Sequence, residues 1–225
     1  MVTTVAIIQA RMTSTRLPGK VMMELGGKPV IQHVIERAQR IKGVDKVILA
    51  VPSQLKSIPM AMLSNSLGVP AFTGSEDDVL SRYYLAANTY DADVVVRITG
   101  DCPLIDPEIC SQVVALRRYE VVDYASNVHP RSFPQGLDCE CFTFAALARA
   151  FVNATETYDR EHVTPFIIRH ARRTNLASGR FDLSRHRWTL DTIEDLERLR
   201  AIFAAGDPAD LASTLKLVEP HAVAA

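Results

Sequence analysis

Short apolar runs alternate with amphipathic stretches through the first half of the chain. The runs are rich in β-branched residues, which is typical of strands buried on both faces of a parallel sheet. The stretches between them place apolar residues three and four positions apart, which predicts helices with one buried face. The predicted strands are TTVAIIQA (3–10), DKVILAV (45–51), VPAFTG (69–74), DADVVVRITGD (91–101) and YEVVDYAS (119–126), and the predicted helices are 28–41, 54–67, 76–90 and one that starts at 106.

This alternation predicts an α/β fold, a mostly parallel sheet with helices on both faces. Ligands of such sheets bind beyond the carboxyl ends of the strands. Helix caps mark two of the predicted starts, with Ser75 and Asp78 as a capping box before the third helix and Asp106 as the cap of the fourth.

The pattern becomes less regular in the second half. HPRSFPQG (129–136) is an irregular Pro-rich segment, and the alternation in LDCECF (137–142) predicts a strand. We therefore expect a single domain over residues 1–225, with an excursion at 127–187. The elements predicted for this half are helices at 143–151 and 159–171, a strand HRWTLD (186–191), a helix at 193–203 capped by Thr192 with Asp195, and a short helix before a frayed tail.

Composition and charge exclude several classes of function. A formal net charge of −1 gives no overall attraction to nucleic acid or to an anionic membrane. No apolar run reaches eighteen residues, and no export signal is evident at the N-terminus. The four cysteines form no CxxC pair, so a zinc ribbon is disfavoured and reduced thiols in the cytoplasm are expected.

A cationic loop follows the first predicted strand. The segment QARMTSTRLPGK (9–20) carries Arg11, Arg16 and Lys20 together with three hydroxyls and a Pro-Gly pair. It is neither a Walker A motif nor a Rossmann GxGxxG fingerprint. Backbone amides and cations in such a loop can bind phosphate, but the residues alone leave phosphate binding and a solvated surface loop equally open.

Two aspartates are predicted at strand ends on the same edge of the sheet. Asp101 follows the apolar strand at 91–101 and Asp191 ends the strand at 186–191. Mg²⁺ is often bound by one or two carboxylates plus substrate phosphates. Each aspartate taken alone is better explained as a turn or capping residue, but a cationic loop at the same edge makes the pair a candidate metal site.

Six segments form a further, longer pattern when they are taken in order: IIQARMTSTRLPGKVMMELGGKPVIQHVIERA, GSEDDVLSRYY, RITGDCPLID, FPQGLDCECF, REHVTPFI and RWTLDTIEDLERLRAI. They resemble the CMP-sugar synthetases, the cytidylyltransferases that activate Kdo and sialic-acid-like sugars, and most of all their spore-coat polysaccharide F branch. The resemblance spans Val5 to Phe203 and implies a Rossmann-like, GT-A-type nucleotide-diphospho-sugar transferase fold. It also implies CTP as co-substrate, Mg²⁺ as cofactor, a sugar-acid-like acceptor and a homodimer formed through the excursion.

Residue roles follow from the same resemblance. Arg11 is expected to contact the nucleotide, and Ser14 and Lys20 the phosphates, with Arg16 in the same loop. Asp101 and Asp191 are expected to bind the metal ion. Arg11, Lys20 and Asp101 are the implied catalytic residues.

The acceptor side is less well defined by the resemblance. Gln135, Asp138 and Glu140 lie where the family binds its sugar, and Arg82 is a further candidate for the nucleotide. Kdo enzymes carry GDEP where this chain has GDCP, so Cys102 replaces an acidic residue. The acceptor is therefore open among nonulosonic acids, other sugar acids and phosphonates.

Two alternative functions remain. A glycosyltransferase on a related fold would usually present a DxD motif, which GDCPLID lacks. A catalytically silent nucleotide-binding paralogue is disfavoured because Arg11, Ser14, Lys20, Asp101 and Asp191 are all present.

Overall fold

A computed structural model describes residues 1–179 and 181–219. Its main sheet has seven strands in the order β5-β4-β1-β6-β8-β7-β9. Neighbouring strands are parallel except that β8 runs antiparallel to both β6 and β7, so the predicted mostly parallel α/β sheet is confirmed. The strands are β1 (Thr4–Gln9), β2 (Glu24–Leu25), β3 (Lys28–Pro29), β4 (Lys46–Pro52), β5 (Ala71–Gly74), β6 (Val94–Thr99), β7 (Tyr124–Ser126), β8 (Glu140–Thr143) and β9 (Arg173–Asn175), of which β2 and β3 form a separate hairpin.

Helices cover both faces of this sheet. Strand β1 shows the consequence, because Ala6 and Ile8 face one apolar cluster, Val5 and Ile7 face the other, and all four are fully buried. The uninterrupted apolar run of the first strand follows from burial on both sides. The helices are α1 (Val30–Ala38), α2 (Ile58–Ser66), α3 (Val79–Thr89), α4 (Pro107–Tyr119), α5 (Phe144–Asn153), α6 (Thr157–His162), α7 (Pro165–His170), α8 (Ile193–Ala205) and α9 (Leu211–Val218).

A third apolar cluster joins the segment before α8 to the rest of the fold. Trp188 and Leu190 are buried in it. Trp188 N donates to Gln135 O at 2.7 Å, and Leu190 N donates to Asp101 O at 2.8 Å. The backbone passes so close to Gly136, whose φ is +108°, that a Cβ there would lie 2.6 Å from Trp188 C. These contacts bring residue 191 to the carboxyl end of β6.

Several sequence predictions need correction. The segment 186–191 is extended but is not a strand, because its pairing is limited to one bridge between Arg187 and Gln135. The helix predicted at 159–171 is two helices, α6 and α7, separated at Val163, whose φ of +69° ends the first.

Two predicted boundaries also change. Helix α3 starts at Val79, and its cap is Asp78, whose carboxylate accepts from Ser81 N. The Ser75 hydroxyl instead accepts from Asp78 N, one turn before the helix. The strand predicted at 119–126 is reduced to β7. The caps Asp106 and Thr192 are confirmed, and the tail predicted beyond residue 219 lies outside the described residues.

None of the helices in the described part of the chain is both long enough and apolar enough to span a membrane.

Candidate active site

A pocket opens at the carboxyl ends of β1 and β6. The loop between β1 and β2 forms one of its walls. Gly19 closes this loop in a left-handed conformation (φ +72°) that favours glycine, and its N–H donates to Met12 O at 3.0 Å. The Ser14 hydroxyl accepts from Leu17 N at 3.3 Å, which keeps the turn compact. The loop thereby directs Arg11, Ser14, Arg16 and Lys20 into the pocket.

Lys20 lies between the two predicted metal ligands. Its Nζ donates to Asp101 Oδ2 at 2.6 Å, to Asp191 Oδ1 at 2.8 Å and to Leu190 O at 2.7 Å. All three ammonium protons therefore have acceptors. Burial opposes the charge, but attraction and hydrogen bonding to Asp101 and then Asp191 outweigh burial and raise the pKa of Lys20.

Asp191 contacts two further cations. Its Oδ1 also lies 2.8 Å from Arg16 Nη2, and its Oδ2 accepts from Arg187 Nη2 at 2.8 Å. Burial would raise the pKa of Asp191, but hydrogen bonds from Lys20 and Arg187 and attraction to Arg16 lower it. This carboxylate is held ionised at the edge of the pocket by positive charge on three sides.

Asp195 anchors the start of α8 behind this cluster. Its Oδ2 accepts from the backbone N–H groups of Asp191 and Thr192, and both oxygens bind Arg187. Burial opposes ionisation, but these hydrogen bonds outweigh it and lower the pKa of Asp195 to about 2. The capping box of α8 thus fixes the position of Asp191.

Arg82 extends the pocket from the first turn of α3. It is almost fully buried, and its Nη1 donates to Ser75 O. Burial is the main cause that lowers the pKa of Arg82. All seven residues expected to bind the nucleotide or the metal line this one pocket: Arg11, Ser14, Arg16, Lys20, Arg82, Asp101 and Asp191.

The three residues predicted on the acceptor side do not line this pocket. Asp138 binds Arg131 through both oxygens, at 2.6 and 2.7 Å. Glu140 is buried and accepts hydrogen bonds from Arg97 and from Tyr124 OH. Gln135 reaches the segment before α8 through its backbone, by accepting from Trp188 N and donating to His186 O.

Sequence reasoning missed three ionisable residues of the pocket, Arg97, Glu161 and His162. Arg97 did leave a signal, since it is the single charge inside the apolar run of β6. Glu161 and His162 end α6, and only the break after that helix brings them to the pocket. The sequence pattern had predicted one continuous helix there.

The chemistry of the donor set fits a divalent cation. The carboxylates of Asp101 and Asp191 already share one cationic nitrogen, so both can reach a single ion. No group of three or more metal-ligating side chains occurs among residues 1–179 and 181–219. Mg²⁺ commonly binds through one or two carboxylates and completes its shell with phosphate oxygens and water, which suits a pocket lined by loop cations.

A protein-family model described as cytidylyltransferase matches residues 5–218. An uncharacterized protein of Methanocaldococcus jannaschii is 43% identical over 163 residues, which are 72% of this chain and 66% of that protein. The spore coat polysaccharide biosynthesis protein SpsF of Bacillus subtilis is 30% identical over 218 residues, 92% of this chain and 90% of SpsF.

Among solved structures, a cytidylyltransferase from Leptospira borgpetersenii superimposes with a TM-score of 0.90. It is 32% identical, and the match covers 98% of this chain and 94% of that one. A match of this extent includes the loop, β6 and the segment before α8, which supply Lys20, Asp101 and Asp191.

Proposed function

The chain belongs to the cytidylyltransferase family of CTP-dependent nucleotidyltransferases, and from this premise we propose that it couples CTP to a sugar acid to give a CMP-activated sugar and pyrophosphate. The observation that carries the proposal is the convergence of Lys20, Asp101 and Asp191 beside the cationic loop. Similarity to SpsF supports a role of the product in surface polysaccharide synthesis.

Different residues of the chain would contribute to different parts of the reaction. An acceptor hydroxyl attacks the α-phosphorus of CTP, the bond to the pyrophosphate oxygen breaks and the hydroxyl proton is released. Arg11 and Arg16 offer planar forks of N–H donors to the phosphate oxygens, and Lys20 offers a mobile point charge. This is catalysis by positioning and electrostatic stabilisation, which needs no protein nucleophile. The four cysteines are buried, consistent with this.

Asp101 and Asp191 would hold the divalent cation, with Mg²⁺ as the proposed ion. When bound, it supplies positive charge that offsets the negative charge developing on the phosphates. In the structure Lys20 forms an ion pair with both carboxylates. The proposal therefore assigns Lys20 two partners, the carboxylates before the substrate binds and the phosphates afterwards.

We also propose a homodimer formed through the excursion at 127–187. Val152 and Tyr158 support it, since these apolar side chains of α5 and α6 are 76% and 63% exposed. Light scattering should give twice the 24.9 kDa mass of the chain. A monomer at micromolar concentration would refute the dimer without affecting the proposed reaction.

Pyrophosphate release tests the function directly. The purified protein, with Mg²⁺, should release pyrophosphate from CTP only when a sugar acid such as 3-deoxy-manno-octulosonate or N-acetylneuraminate is present. UTP, GTP and ATP are the controls for the base, and N-acetylmannosamine is the neutral control for the acceptor. Release with UTP but not CTP would overturn the base assignment. Transfer from a nucleotide sugar would favour a glycosyltransferase, and no release with any pair would favour a silent paralogue.

A further inference from the structure

Three buried polar atoms without a partner among the described residues belong to side chains that line the pocket. They are Gln9 Oε1 on β1, Arg82 Nε on α3 and Arg97 Nε on β6. A buried polar atom that lacks a hydrogen bond costs free energy, so most such atoms in native proteins have partners. Three of them around one pocket indicate that a bound molecule completes their hydrogen bonding.

Arg97 is the best placed of the three to recognise a charged group. It lies on β6, near the middle of the sheet, and its side chain is 16% exposed, on the pocket side. Of the five N–H donors of its guanidinium, the described residues account for one bond, from Nη1 to Glu140. The remaining donors form an edge that can bind both oxygens of a planar anion.

Glu140 fixes the orientation of the Arg97 side chain. It lies opposite Arg97 in the register of β6 with β8, and its second oxygen accepts from Tyr124 OH at 2.7 Å. Burial opposes ionisation of Glu140, but Arg97, Tyr124 and Thr164 outweigh it and lower the pKa of this carboxyl. A buried ion pair is often no more stabilising than apolar residues of the same size. Such a pair in the floor of a pocket therefore calls for a functional explanation.

The position of Arg97 favours the acceptor over the triphosphate. Its guanidinium pairs with Glu140 on β8, on the side of β6 away from β1, whereas the loop that carries Arg11 and Lys20 follows β1. The triphosphate is expected against that loop, so Arg97 faces the part of the same pocket that is left for the acceptor. In 3-deoxy-manno-octulosonate the carboxylate is bonded to the carbon that carries the reacting hydroxyl, so Arg97 would hold it beside the α-phosphate.

We propose that Arg97, oriented by Glu140 and Tyr124, binds the carboxylate of the acceptor. The inference rests on the proposed function and refines it, because it assigns acceptor recognition to a residue that sequence reasoning missed. Glu140 then serves as a positioning residue that acts through Arg97 rather than by touching the sugar.

The test replaces both members of the pair, R97Q/E140Q, because removing either one alone leaves a buried charge unpaired and can prevent folding. Thermal unfolding establishes that the double variant is folded. Calorimetry then measures binding of Mg·CTP, and binding of 3-deoxy-manno-octulosonate, its methyl ester and N-acetylneuraminate with α,β-methylene-CTP present. The control K28Q/E36Q neutralises an ion pair between β3 and α1 that does not line the pocket.

We expect R97Q/E140Q to bind the sugar acid about ten- to a hundredfold more weakly than the wild type, because charge-assisted hydrogen bonds to the carboxylate are lost. The affinity for CTP should be unchanged. The wild type should discriminate the acid from its ester, and the variant should not. A merely structural role would weaken acid and ester equally and would overturn the proposal. So would weakened CTP binding with the acid unaffected, or a wild type that binds neither acid. If the wild type bound the sugar acid through Arg97 but released no pyrophosphate, only the proposed function would be refuted, and the role of Arg97 would stand.

Discussion

Replacing Asp101 with asparagine should lower kcat for CTP-dependent pyrophosphate release by about a thousandfold. The amide keeps the size of the side chain but loses the charge that a hard cation such as Mg²⁺ requires. A thousandfold corresponds to about 4 kcal/mol of lost transition-state stabilisation, a typical contribution of a bound metal ion. Steady-state release at saturating CTP and acceptor measures the effect.

The control for this variant is D123N, which removes a carboxylate near β7 that lies 3.6 Å from Arg149 and does not line the pocket. In metal-free buffer D123N should unfold at a temperature close to that of the wild type, and D101N should remain folded but unfold at a lower temperature, because Lys20 loses one of its two carboxylate partners. If D101N kept more than a third of wild-type turnover, Asp101 would not be a metal ligand in the reaction.

Lys20→Met should have the second largest effect, and should change both activity and the pH dependence of stability. We expect kcat/KM for CTP to fall about a hundred- to a thousandfold, the range seen when one donor to developing negative charge is removed. In the folded protein, loss of Lys20 also leaves Asp101 and Asp191 without the cation that they share, so the pKa of Asp191 should rise.

The sign of the stability effect follows from the direction of the pKa shifts. The lowered pKa of Asp191 stabilises the fold above the unfolded-state value of about 4, and this contribution is lost as pH falls through the folded-state pKa. The raised pKa of Lys20 stabilises the fold below the unfolded-state value of about 10, and this contribution depends on the negative charge of the neighbouring carboxylates. Lys20→Met should therefore lower the free energy of unfolding most at neutral pH and least near pH 2, at the acidic end of the range set by the lowered pKa of Asp191.

Urea unfolding at pH 7 and at pH 2 measures this difference. The matched control is Lys28→Met, because Lys28 also lies 2.8 Å from a carboxylate but is 41% exposed and lines no part of the pocket. The control should lose little stability at either pH. If Lys20→Met lowered the free energy of unfolding equally at both pH values, the contribution of Lys20 to stability would come from packing rather than from charge.

Much of the fold could be predicted because parallel strands buried on both faces leave a simple sequence signal. The alternation of strands and helices along the sequence was enough to predict that the loop and Asp101 meet at the same edge of the sheet. Helix caps such as Thr192 could also be predicted, because the capping side chain bonds to backbone only three residues away and the pattern is visible in neighbouring residues.

The parts that could not be predicted depend on pairing between distant segments. The ion pair of Arg97 with Glu140 requires the antiparallel register of β6 and β8, which no local pattern encodes. Alternation in LDCECF places Glu140 on the polar face of the predicted strand, whereas in the structure Glu140 is buried against Arg97. The segment 186–191 alternates like a strand, yet backbone bonds to Gln135 and Asp101 hold it extended outside the sheet.

A crystal structure of the protein with α,β-methylene-CTP and Mn²⁺, a strong anomalous scatterer in place of Mg²⁺, tests the shared site most directly. We expect an anomalous peak coordinated by Asp101 and Asp191, with the triphosphate against Arg11 and Lys20 Nζ turned from the carboxylates to a phosphate. A metal ion bound elsewhere, or a nucleotide outside the loop with Lys20 still between Asp101 and Asp191, would contradict it.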